Sequence, residues 1–151
     1  MSISKAPVVT LTNGLRVANF SSPHPFNFED GSVLEACAPD RVKAGELKRQ
    51  EDERAWVGLD RQDIVAVVPR FSMSDQVWKL LVELENDSDV DVVLIPFPVL
   101  EVLRSCKSFR MDLLGDHDDI EVTLLDQLSK VGTICVKDRQ TKAIFINRFC
   151  R

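Results

Sequence analysis

Residues 64–106 read IVAVVPRFSMSDQVWKLLVELENDSDVDVVLIPFPVLEVLRSC, and the succession of patterns in this stretch decides the fold. Ile64–Val68 is a short, continuous apolar run, the signature of a strand covered on both faces. Ser72 or Ser74 then opens a helix in which Val77, Leu80, Leu81 and Leu84 recur at i, i+3, i+4 and i+7, with Trp78 beside the stripe. Asn86–Asp89 is a turn, and Val90–Ile95 is a second apolar run. Strand, helix and strand in that order predict a parallel β-α-β unit with a right-handed crossover. Pro98 suits the first turn of a further helix, whose stripe is Val99, Val102, Leu103 and Cys106.

Outward from this centre, the N-terminal residues 7–20 form a hairpin around Asn13-Gly14. A two-residue loop would set Leu11 against Arg16 and mix the faces. A three-residue loop, Thr12–Gly14, sets Leu11 against Leu15 and Val9 against Val17, so four apolar residues share one side. Gly14 then takes the left-handed position. Residues 21–41 carry three Pro and two Phe and are expected as a long loop, with a short strand at Val33–Ala36 and with Phe26 and Phe28 tucked against the core. Residues 41–60 hold five basic and five acidic residues and read as a solvated helix or edge strand. Residues 107–119 are a second long loop. Beyond it, either Ile120–Leu125 is a strand or Leu124–Val131 is a short helix. A C-terminal hairpin with a four-residue loop, Asp138–Thr141, would put Ile134, Val136, Ala143 and Phe145 on one face, and Cys135, Ile144 and Ile146 on the other.

These elements predict one domain spanning residues 1–151. Its class is α/β or α+β, a single-domain mixed sheet with a central parallel β-α-β unit, an N-terminal hairpin, a C-terminal hairpin and two or three helices packed on the sheet. With 151 residues, of which 44% are hydrophobic, the chain is long enough to bury a substantial core.

Composition narrows the function. Nineteen Lys+Arg stand against 24 Asp+Glu, a net charge of −5, which disfavours a non-specific nucleic-acid binder. The charge is uneven, because residues 83–119 are strongly acidic while residues 137–151 hold five basic residues and one acid. The longest apolar stretch, Val92–Leu100, is broken by two prolines and is far short of the ~20 residues of a membrane span. The N-terminus has no secretory pattern. Cys37, Cys106, Cys135 and Cys150 show no C-x-x-C spacing, so the expectation is a soluble, cytoplasmic protein with reduced thiols, in which Cys150 near the terminus is the exposed, oxidisable one.

The sharpest site argument concerns Pro69–Ser74, where a strand end meets a helix N-terminus. Arg70, Ser72 and Ser74 there offer a guanidinium and hydroxyls to a phosphate or carboxylate. Against this, Ser74 is sufficient as a helix cap, and the absence of glycine rules out a P-loop or dinucleotide fingerprint. His24, held between Pro23 and Pro25, is the candidate general base, or the partner of a Cys37 nucleophile, and is set against a plain surface-loop histidine or one stacked on Phe26. No metal site is expected. Asp87–Asp91 imitates the start of an EF-hand loop but has Val92 where the glycine belongs, and Gly115–Asp119 reads as a solvated acidic loop. The expectation is therefore a small acidic binding or regulatory protein that acts through protein–protein contacts, with a protein partner or a second copy of itself, without catalysis or cofactor. The alternative is a small enzyme or sensor taking a phosphorylated or carboxylate ligand at residues 69–74.

Overall fold

The N-terminal hairpin has the register that its apolar pattern demands. In the computed structural model, which describes residues 2–55, 65–110, 120–134 and 137–151, β1 (Val8–Thr10) and β2 (Arg16–Asn19) pair antiparallel with Val9 opposite Val17. The loop is Thr12–Gly14. The Leu11 amide donates to the Leu15 carbonyl at 2.8 Å, and Gly14 has φ +90°. Such a backbone angle favours glycine because it has no Cβ to clash.

β2 continues into a sheet of order β1-β2-β7-β10, where β7 is Val92–Leu94 and β10 is Val131–Gly132. β7 runs parallel to both β2 and β10. Side chains alternate across this sheet as the pleat requires. Ala18, Val93 and Val131 stand in register and face a core built with α2 (Asp75–Glu85) and α3 (Phe97–Ser105). Val77, Leu80, Leu81 and Leu84 of α2 are buried, as the helical period predicts, and so are Val99, Val102 and Leu103 of α3. Cys106 ends that helix and is only half-buried.

The opposite face, carrying Val17 and Leu94, is covered by non-helical chain. A two-residue ladder between β3 (Phe26–Asn27) and β4 (Val33–Leu34) lies there, with Phe28, Leu34 and Ile144 buried against it. The expected long loop at residues 21–41 is thus partly built into β3, β4 and the short helix α1 (Pro39–Ala44). Buried Asn19 organises it, donating to the Ser22 and Glu35 carbonyls and accepting from the Ser22 amide.

The β-α-β expectation is corrected in its partners. β6 (Val65–Ser72) does not lie beside β7. It pairs antiparallel along its whole length with β5 (Lys48–Ala55), in a separate two-stranded ladder. Both edges of β7 are already taken by β2 and β10, leaving none for β6. A hairpin partner close in sequence also costs less loop-closure entropy than a crossover. The parallel crossover exists instead as β7-α3-β10. Ile64 and residues 56–60 lie outside the described residues.

The loop expected at residues 107–119 is also corrected. Lys107–Arg110 is a strand, β8, paired antiparallel with β9 (Ile120–Thr123), and residues 111–119, which include the Gly115–Asp119 cluster, lie outside the described residues. A 3-10 turn at Leu125–Gln127 follows β9, so both readings of residues 120–131 hold in part.

In the C-terminal hairpin the register is shifted. Lys137 bridges Ile144 across a six-residue connection rather than Lys142 across four. The Asp138 carboxylate accepts from the Gln140 and Thr141 amides and widens the turn, with Lys142 at φ +62°. Ile144 also bridges Phe28, which draws it into the core together with Ile134 and Ile146. Cys135 and Val136 lie outside the described residues. Cys150 is disulfide-bonded, while Cys37 and Cys106 carry free thiols, so the expectation of reduced thiols fails at Cys150.

Candidate functional site

Three parallel strand ends converge at one edge of the main sheet. β2, β7 and β10 finish at Asn19, Leu94 and Gly132, and the chain continues from them as Phe20-Ser21-Ser22, Ile95-Pro96 and Thr133-Ile134. The carboxyl edge of parallel strands is where α/β sheets place ligands, because the chain leaves the sheet there and opens a crevice. Two hollows occupy this edge and share Pro96. One, of about 240 Å³, is lined by residues that include Ser22, Phe26, Leu94 and Thr133. The other is a groove of about 310 Å³ between the α1 end and the α3 start, lined by residues that include Val42, Leu47, Phe71, Pro98 and Val99.

The groove is apolar, and Glu46 is its one charged lining residue among those described. Gly45 lets its wall close, since a Cβ there would stand 2.5 Å from that of Ser21. Phe71 lines it and is 46% exposed, and Phe97, between the two lining prolines, is 57% exposed.

The residues singled out from sequence lie in β6, at the start of α2 and in the segment between β2 and α1. Arg70 sits in β6 opposite Gln50, and its side chain lies outside what the structure describes. Ser72 ends the same strand. The Ser74 hydroxyl accepts from the Val77 amide at 3.2 Å and caps α2, the bland role. Because β6 belongs to an antiparallel ladder, the strand-end rule that favoured residues 69–74 points instead to the edge of β2, β7 and β10. His24 is exposed and its backbone is pinned by the Ser22 hydroxyl. Cys37 is buried and its thiol donates to the Asn19 carbonyl at 3.2 Å, with no hydrogen bond to His24. Burial pushes the Cys37 thiol pKa up, against the pull of Arg41.

Sequence reading missed Arg41. It is 4% exposed, donates from Nε to the Phe20 carbonyl at 2.8 Å, and lies 5.8 Å from the centre of the Phe20 ring. Burial lowers its pKa, partly offset by the neighbouring Cys37. The basic tail is engaged within the chain: Arg148 stands over the Phe145 ring at 5.2 Å, and Arg151 donates to the Leu125 carbonyl. Among the described residues no cluster of His, Cys, Asp and Glu is placed to hold a metal, and no helix is long and apolar enough to cross a membrane. In comparisons with known proteins, no family model matches this chain, and neither does any curated protein or solved structure.

Proposed function

We propose that this chain is a non-catalytic binding protein that docks a protein partner in the apolar groove at the carboxyl edge of β2 and β7. The observation that carries this reading is exposed Phe71, which lines the groove with Val42, Leu47, Pro96 and Pro98, together with exposed Phe97, the residue between those two prolines. An aromatic anchor at a small apolar hollow is the usual energetic centre of a protein interface. The partner presents an apolar side chain flanked by Lys or Arg, because Glu46 is the charged residue of the groove and the whole chain carries −5. The alternative, a phosphorylated or carboxylate ligand at Arg70, Ser72 and Ser74, has less support because the Ser74 hydroxyl is already committed to the helix.

The test is to isolate the cross-linked partner, purify it and titrate it into the wild-type chain and two variants. Phe97→Asp is expected to weaken binding by about 30-fold, the ~2 kcal/mol of an interface anchor. Glu46→Gln is expected to slow association and flatten its salt dependence. A partner that binds Phe97→Asp as tightly as wild type would overturn the proposal.

A further inference from the structure

β5 and β6 pair only with each other, so among the described residues each has an outer edge with no strand beside it. Such an edge carries a row of backbone N–H and C=O groups that can take a further strand. The two edges differ. Pro69 of β6 stands opposite Glu51 and has no N–H, so these two residues exchange no hydrogen bonds across the ladder. The missing N–H of Pro69 therefore falls on the outer edge of β6 and interrupts its row of donors. By the same pairing, the N–H and C=O of Glu51 point away from β6, and by alternation so do those of Arg49 and Glu53. β5 holds no proline, and its outer row of donors is complete.

A second copy of β5 fits that row in one register. In an antiparallel ladder the outward groups of one strand must meet those of the other, so odd-numbered residues face odd-numbered residues. Under two-fold symmetry the central residue then faces its own copy. Every residue of Lys48–Arg54 other than Gln50 is charged, so any other centre in that stretch sets like charges directly opposite, which is destabilising. With Gln50 at the centre, Lys48 stands opposite Asp52 and Arg49 opposite Glu51, and symmetry repeats both matches. Charge on an edge strand guards it against foreign strands, and here the order of the charges leaves a match to the strand's own copy.

We propose that β5 is a self-association edge, through which two copies of this chain pair antiparallel along Lys48–Asp52 with Gln50 on the two-fold axis. Arg49 and Glu51 exchange the backbone hydrogen bonds, while Lys48 and Asp52 take the closer, non-hydrogen-bonded positions that flank them. So short a ladder makes a weak, reversible dimer. The inference does not rest on the partner groove.

The experiment is sedimentation velocity of the full chain at rising protein concentration, where wild type is expected to pass reversibly from monomer to dimer. Lys48→Asp and Asp52→Lys each set like charges opposite one another twice and are each expected to weaken the dimer at least about tenfold. The double variant Lys48→Asp/Asp52→Lys restores both matches and is expected to dimerise as wild type does. Glu51→Pro removes an outward N–H that the ladder with β6 does not use, and is expected to abolish the dimer without lowering Tm. Phe97→Asp should dimerise as wild type does, so that failure of the partner groove and failure of this edge are told apart. A chain that stays monomeric at every concentration, a swap that does not restore the dimer, or a charge variant as dimeric as wild type each overturns the proposal.

Discussion

The two faces of the β1-β2-β7-β10 sheet are covered by different means. On one face, α2 and α3 lay regular stripes of Val and Leu over Ala18, Val93 and Val131. On the other, Val17 and Leu94 are covered by β3, β4 and the C-terminal segment, through Phe28, Leu34, Ile144 and partly buried Phe149. Gly132 admits this second cover, since a Cβ on it would stand 3.3 Å from that of Phe149. The helical cover is built from local periodicity. The other is built from side chains far apart in sequence that meet only when the chain is folded. Cover with little regular structure can still be tightly buried: Phe28 is 3% exposed and Leu103 0%.

The strongest way to break the comparison is to hollow out each face in turn. Leu103→Ala and Phe28→Ala are each expected to cost about 3–5 kcal/mol, the range for large-to-small changes at buried sites. Urea unfolding followed by circular dichroism and by hydrogen exchange should show both losses in one shared transition. A separate early transition in Phe28→Ala would mean that the irregular cover is a detachable layer rather than half of the core.

That asymmetry also governs what the sequence reveals. The helices were legible because Val77, Leu80, Leu81 and Leu84 repeat at the helical period, and the N-terminal hairpin because Asn13-Gly14 and its apolar pairs admit one register. The partner of β6 was not legible. Lys48–Ala55 reads KRQEDERA, with charge on both faces, a pattern that admits a solvated helix as readily as an edge strand and names no partner. Parallel pairing of β7 with β2, across more than seventy residues, leaves no local trace. The C-terminal register moved because Ile144 is claimed by Phe28, a contact outside the hairpin itself. Of the candidate site, Pro98 was visible only as a helix start and Pro96 only as a break in an apolar stretch. Arg41 was hidden in a charged stretch that looks solvated, because burial of an arginine depends on carbonyls at Phe20 and Ser4 that sequence spacing does not place.

A medium-sized effect sharpens the helical side. Ser74→Ala removes the hydroxyl that accepts the Val77 amide and is expected to cost about 1 kcal/mol. Ser74→Asp, which keeps an acceptor at the cap and adds negative charge at the helix start, should cost little. Equal stability of wild type and Ser74→Ala would mean the hydroxyl is not needed as a cap and would return weight to a ligand role for it.

The smallest effect lies in pH dependence and probes how the non-helical side is fastened. Asp91 is held at a pKa of about 2, against an ordinary 3.8, by the Arg16 guanidinium, which donates to both carboxylate oxygens at 3.0 and 3.1 Å, and by the Arg16 amide. Asp30 is lowered to about 2 by the Thr12 and Ser32 amides. The first pair ties the start of β2 to the start of β7, and the second ties the β3–β4 turn to the loop of the N-terminal hairpin. A carboxylate whose pKa is depressed by folding contributes stability that is complete above the unfolded pKa and is lost as pH falls through the folded one. Stability should therefore be level at neutral pH and decline between about pH 4 and pH 2. Asp30→Asn and Asp91→Asn, combined, should flatten that decline while changing little at pH 7, because both groups are solvent-exposed and such bonds are weak there. An acid transition as steep in the double variant as in wild type would place the acid sensitivity elsewhere and leave the β3–β4 cover fastened by its apolar residues alone.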